Sequence, residues 1–221
     1  MDVHRTKKLT QKEGYQNDMK KEILIATANK GKAHEIKEIF KNTDFDLKFL
    51  YDFEEQMKEL EIQENAKSFE GNALIKAIII GDHLQMITLA DDSGICVDAL
   101  GGEPGVYSAR YSVEKTDEAN NKKLLAAMDG IPMTDRDCHY SCVVAVYDPS
   151  TKFVETTEGQ WQGKVALEPR GTKSFGYAPI FLSINAYYEK TNAEFDAIEL
   201  IEINHRGKAF RAAIEVLKKQ H

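Results

Sequence analysis

The apolar run Met86-Ile87-Thr88-Leu89 passes directly into Ala90-Asp91-Asp92-Ser93-Gly94. A short apolar run that meets Asp, Ser and Gly reads as a buried strand ending at a working edge. Two adjacent carboxylates at such an edge repel each other unless a cation or basic groups lie close. The same residue types favour turns, so this stretch alone fits a plain turn as well as a reactive centre.

Glu22-Ile23-Leu24-Ile25-Ala26-Thr27 reads as the first buried strand. It leads through Ala28-Asn29-Lys30-Gly31-Lys32 into a helix with Ile36, Ile39 and Phe40 on one side. A strand, a small polar loop and a helix N-terminus make an anion site, because the first N–H groups of a helix have no partner within it. Lys30 and Lys32 add positive charge. The P-loop spacing G-x-x-x-x-G-K-[ST] is missing, and an ordinary strand-to-helix turn with solvated lysines remains the alternative.

Residues 46–53 read as a second strand, followed by a charged loop through Glu59, Glu61 and Glu64. Ser68 reads as the N-cap of a helix through Phe69, Ala73, Leu74, Ala77 and Ile78. That helix is apolar nearly all round and therefore largely buried. Lys76 sits in its middle, where a lysine either reaches out to solvent or reaches a ligand. Gly101, Gly102, Pro104 and Gly105 mark a tight connection, and residues 117–128 read as a helix. Residues 138–147 and 153–165 read as an antiparallel hairpin turned at Asp148-Pro149-Ser150.

The loop from Pro169 to Phe181 is rich in aromatics, which either stack on a nucleobase or pack onto the core. His205-Arg206-Gly207 leads into a closing helix whose Phe210, Ala213, Ile214 and Leu217 share a face. At a helix N-terminus, His205 and Arg206 would meet an anion or an acceptor-rich base edge.

A net charge of −7 argues against a broad grip on a nucleic acid polymer. It leaves room for a small anion held with a divalent metal, where local charge decides. No apolar segment approaches the ~20 residues that span a bilayer, so no membrane partner is expected. Residues 1–21 are polar, lack the apolar region of a secretory signal and read as a disordered N-terminal extension. These features point to the cytoplasm. Cys96, Cys138 and Cys142 show no C-x-x-C spacing and read as buried free thiols.

In their order and spacing, six stretches resemble the inosine/xanthosine triphosphate pyrophosphatase family, the XTP/dITP diphosphatases. They are Ala26 to Lys32, Ser68 to Ala77, Ala90 to Gly94, Gly101 to Arg110, Phe175-Gly176-Tyr177 and Asn204 to Ala209. The resemblance runs from about Ile23 to Leu217. It implies an α/β fold, a long mixed twisted sheet with helices forming two lobes around a central nucleotide cleft. Residues 22–221 would form that single two-lobed domain, usually as a homodimer. It implies a Mg²⁺-dependent enzyme that cuts ITP, dITP or XTP between the α and β phosphates.

By the same resemblance Glu64 and Asp92 hold the metal, Asp92 also activates the attacking water, and Lys76 serves catalysis. Asp91 would support the pair. Thr27, Asn29, Lys30, Lys32, Ser93, Phe175, Gly176, Tyr177, His205 and Arg206 would bind the substrate. The chain departs from the family pattern at Ala178, where Asp is usual, at Leu200, where Lys is usual, and at Asn204, where Ser is usual. The first two changes remove charged groups near the expected purine, which predicts weaker base selectivity. The alternatives are a Maf-like pyrophosphatase with another base preference, or a nucleotide-binding protein with weak turnover.

Overall fold

The computed structural model describes residues 20–173 and 175–220. Three strands, β1 (Lys21–Ile25), β2 (Phe45–Phe49) and β3 (Thr88–Val97), run parallel. Three more, β4 (Asp137–Asp148), β5 (Phe153–Val165) and β6 (Phe181–Ser183), continue from β3 in antiparallel pairs. Together they form one six-stranded mixed sheet in the order β2-β1-β3-β4-β5-β6. The helices are α1 (Lys30–Phe40), α2 (Glu54–Met57), α3 (Phe69–Leu84), α4 (Asp117–Ala127), α5 (Ala197–Ile203) and α6 (His205–Gln220). The α/β architecture is the one the sequence motifs imply.

Alternation along the strands sorts the core by face. Ile23, Ile25, Leu89, Val144 and Val146 pack with Ile36 and Phe40 of α1 and Phe210 and Ala213 of α6. Their neighbours Leu24, Ala90, Val143 and Ala145 face the other way, onto Ala73, Ala77 and Ile80 of α3. The far ends of β3, β4 and β5 form a second lobe, where Ile95, Val97, Trp161 and Phe181 bury Leu124 of α4 and Leu200 of α5. Phe210 is fully buried, a contribution of about 1.5–3 kcal/mol that ties α6 to the sheet and holds its first turn in place.

Helix starts follow the sequence closely. Asn29 Oδ1 accepts the Lys32 N–H at 3.1 Å, and Ser68 Oγ accepts the Gly71 N–H at 3.1 Å. The hairpin forms as expected. The first strand stops at Ile25, and residues 50–53, expected as strand, form a 3-10 turn instead. The expected extension falls largely on residues 1–19, outside the described residues, while Lys21 already opens β1.

The largest correction concerns Ala90 to Gly94, which neither ends a strand nor turns. It lies inside β3, with Asp91 opposite Val144 and Asp92 opposite Val143. A ladder to β-branched neighbours outweighs the local turn preference of Asp, Ser and Gly. Gly94 is needed for a different reason: a Cβ there would collide with Ser108 Oγ and the Gly105 carbonyl. The edge exists, but it is lateral. β1 pairs with β3 only through Leu24–Thr88 and Ile25–Leu89 and then leaves the sheet, so that side of β3 is open until Ser108 and Glu103 accept the N–H groups of Ile95 and Val97.

Candidate active site

The uncovered side of β3 opens a cavity of about 440 Å³, within the range of small-molecule sites. Because consecutive strand residues face opposite ways, Asp91 and Asp92 meet different helices. Asp91 Oδ2 accepts from Lys32 of α1 at 2.7 Å and lies 3.9 Å from Arg206 Nε of α6. Asp92 Oδ2 accepts from Asn72 Nδ2 of α3 at 2.9 Å, and its Oδ1 lies 3.9 Å from Lys76 Nζ.

Lys76 is held at three points. Its ammonium donates to Glu64 Oε2 at 3.0 Å and to the Asp91 carbonyl oxygen at 2.6 Å, besides its approach to Asp92. The Asp91 carbonyl lies in the stretch of β3 that β1 leaves uncovered. Asn72 and Lys76 are four residues apart, so one face of α3 presents both.

The two adjacent aspartates titrate in opposite directions. Burial alone would raise Asp91, but the charges of Lys32, Arg206 and Lys76 outweigh it and hold its carboxyl far below the usual range. For Asp92 burial prevails: its carboxyl rises above the ordinary value, with Glu64 adding to the rise and Lys76, Asn72 and Lys32 opposing it. Asp91 is thus a fixed charge that organises cations, and Asp92 is the better proton acceptor. Neighbouring groups pushed apart in this way mark distinct acid–base roles.

Arg206 completes the network. Its guanidinium donates to Glu35 Oε2 at 2.7 Å, and burial, which lowers it, is outweighed by Glu35 and Asp91. It also lies 5.8 Å from the centre of the Phe175 ring, within cation–π reach. His205 stacks on Tyr140 at 4.5 Å and is buried. Burial first, then the charges of Arg206 and Lys32, depress its pKa well below the ordinary value, so it stays neutral. A depressed histidine takes up its proton in the unfolded chain first. Stability conferred by neutral His205 is therefore present above the unfolded value of about 6.5 and falls as pH drops below it. Replacing His205 with glutamine should flatten the fall in melting free energy between pH 7 and pH 5 by up to about 1.4 kcal/mol per pH unit. An unchanged pH slope in thermal unfolding would refute this.

Most of the site residues expected from the sequence converge here. Thr27, Asn29, Lys32, Glu64, Lys76, Asp92, Ser93, Phe175, Gly176, Tyr177, His205 and Arg206 all line the cavity. Lys30, the first residue of α1, is exposed and outside that lining. Tyr177 is part of the wall rather than a free ring: it is 4% exposed and its hydroxyl donates to the Ser108 carbonyl at 2.8 Å. Glu35, Tyr140 and Trp161 also line the cavity and Asn72 holds Asp92 from α3, though none stood out in the sequence. Spacing held a signal for two of them, since Glu35 lies one helical turn from Lys32 and Asn72 one turn from Lys76.

Glu64 Oε2 and Asp92 Oδ1 lie 3.0 and 3.9 Å from the same Lys76 ammonium, so their oxygens already share one cation. Hard oxygen donors of this kind suit Mg²⁺, which takes one or two carboxylates and fills its remaining positions with phosphate and water. Among the described residues no group of three or more His, Cys, Asp and Glu side chains converges to hold a metal, so substrate oxygens and water would complete the set. Among the same residues no helix is long and apolar enough to cross a membrane.

The model of the Ham1 family matches residues 23–216. A protein of Bacillus licheniformis named dITP/XTP pyrophosphatase is 43% identical over 192 residues, covering 86% of this chain and 95% of that one. Its counterpart of the same name in Bacillus subtilis is 41% identical over 201 residues, 90% of this chain and 98% of that one. The solved Ham1 protein of Staphylococcus aureus superposes with a TM-score of 0.79 at 34% identity, covering 91% of this chain and all of that one. With the family model matching residues 23–216 and these relatives matched along almost their full lengths, the chain belongs to the Ham1 family.

Proposed function

We propose that this protein hydrolyses the deaminated purine nucleoside triphosphates ITP, dITP and XTP to the nucleoside monophosphate and pyrophosphate, and so cleanses the nucleotide pool. It would act with Mg²⁺, in the cytoplasm, as a homodimer that sediments at twice the chain mass. The observation that carries the reading is the meeting of Glu64, Asp92 and Lys76 in a cleft that Tyr140, Trp161, Phe175, Ala178 and Leu200 also line. The shared dITP/XTP pyrophosphatase name of relatives near 40% identity supports it.

The β and γ phosphates carry most of the substrate charge. Lys32, Lys76 and the free N–H groups at the start of α1 bind them, and Lys30 adds charge to the same helix start. Thr27, Asn29 and Ser93 contact the nucleotide beside them. Asp92 accepts the proton of a water whose oxygen attacks the α-phosphorus, and the bond to the bridging oxygen of the β phosphate breaks. Glu64 and Asp92 would hold Mg²⁺, which when bound supplies phosphate neutralisation and acidifies the attacking water. Asp91 keeps Lys32 and Arg206 in place throughout. Phe175, Gly176 and Tyr177 form the base loop, with His205 and Arg206 facing the nucleotide from α6. Placement and charge neutralisation do most of the work, as in phosphoryl chemistry generally.

Purified protein incubated with ITP and Mg²⁺ should release IMP and pyrophosphate, with no orthophosphate, and chelation of the metal should stop it. Orthophosphate as the product, or binding of ITP without turnover, would reject the proposal.

A further inference from the structure

The two carboxylates that face Lys76 come from very different backbone. Asp92 sits inside β3, whereas Glu64 lies on residues 58–68, which run from α2 to α3 without helix or strand. Between them stands Asn72, near the start of α3 and 1% exposed. Its Oδ1 accepts the Ala66 N–H at 3.0 Å, and its Nδ2 donates to Asp92 Oδ2 at 2.9 Å. A backbone N–H only donates and a carboxylate only accepts, so these partners fix which way the amide points.

The bridge constrains both carboxylates. With Asp92 Oδ2 held by the amide, Oδ1 is the oxygen left to face the Lys76 ammonium. With the Ala66 N–H held, the loop is pinned just after Glu64; its apolar anchors, Leu60 and Ile62, come before it. Glu64 itself is tied by the ion pair to Lys76 and by a 3.4 Å hydrogen bond from Arg110 to its carbonyl. Lys76 also binds phosphates in the proposed reaction, so its hold on Glu64 is shared once a triphosphate arrives. Asn72 lies behind the cavity lining, and its two hydrogen bonds do not compete with the substrate.

We propose that Asn72 is a positioning residue: it sets the spacing of Glu64 and Asp92 so that the two carboxylates take one Mg²⁺ between them. This rests on the reading of Glu64 and Asp92 as the protein's ligands to the metal. Mg²⁺ demands near-octahedral geometry, so a carboxylate pair whose separation drifts binds it less well. Asn72 touches neither metal nor nucleotide. It acts on Asp92 directly and on Glu64 through the backbone of its loop. Hydrogen bonds behind metal ligands govern about 10–100-fold in metal affinity.

The test uses α,β-methylene-ITP, which cannot be cut between its α and β phosphates. Calorimetry measures its affinity twice, in saturating Mg²⁺ and in excess chelator, for the wild type, Asn72→Ala and Asn72→Ser. The wild type should bind more tightly with Mg²⁺. Asn72→Ala should lose about 10–100-fold in Mg²⁺ and nothing in chelator. Asn72→Ser, whose hydroxyl reaches one partner at most, should fall between, and it carries the test alone if the alanine variant does not fold. Wild-type affinity in Mg²⁺ would overturn the inference and leave the proposed function standing. So would an equal loss in chelator, or failure of both variants to fold, since each marks a role in the fold at large. A wild type that binds the analogue equally with and without Mg²⁺ would overturn the metal's part in the proposed function, and the inference with it.

Discussion

Asp92→Asn is expected to lower ITP turnover by about 10²–10⁴-fold while ITP binding changes little. The substitution keeps the side-chain shape, and the hydrogen bond from Asn72 can persist. It removes the group that accepts the water's proton and one of the two carboxylates facing the Lys76 ammonium. Asp91→Asn is the instructive contrast, because Asp91 contacts Lys32 and Arg206 rather than the reacting centre. Single-turnover kinetics and a fluorescent-nucleotide titration on the Asp92 variant would decide the matter. Turnover above about a tenth of wild type would remove Asp92 from the role of base.

The second large effect falls on stability. Arg206→Leu should cost about 3–5 kcal/mol, read as a lower urea midpoint with an unchanged slope. The guanidinium is 5% exposed and lies between Glu35 and Asp91, whose side chains are 14% and 1% exposed. Removing it leaves Glu35 half-buried without its cation and Asp91 dependent on Lys32. Burial would then push the Asp91 carboxyl back up, so the destabilisation is greatest above its unfolded value of about 3.9 and shrinks as pH falls and the carboxyl is protonated in both proteins. A loss below about 1 kcal/mol, the level of an exposed pair, would mean that the network is solvated.

Local signals served the sequence reading well where the physics is local. Ser68 announced a helix start because a side-chain oxygen three residues before an unpartnered N–H is enough to cap it. The β4–β5 hairpin followed from alternation and an Asp-Pro-Ser turn. The ordered motifs named the family, and through it the residues that line the cavity. The same logic failed at Asp91-Asp92-Ser93-Gly94, where turn-forming residues are held in a ten-residue strand. Nothing local announces Val143 and Val144 across the ladder, or the lysines and arginine that neutralise the carboxylates.

The order of residues along the chain thus carries the α/β class, most helix starts, the hairpin and the chemistry present in the cleft. Long-range packing divides that chemistry. Strand alternation sends Asp91 to α1 and α6 and Asp92 to α3, and that division gives the two neighbours opposite pKa shifts. Packing also decides that Lys30 stays outside the lining, that Tyr177 is wall, and that Asn72 joins Asp92 to the loop of Glu64. Charge, burial and free hydrogen-bonding capacity belong to the surroundings of a side chain, and those exist only once distant segments pack together.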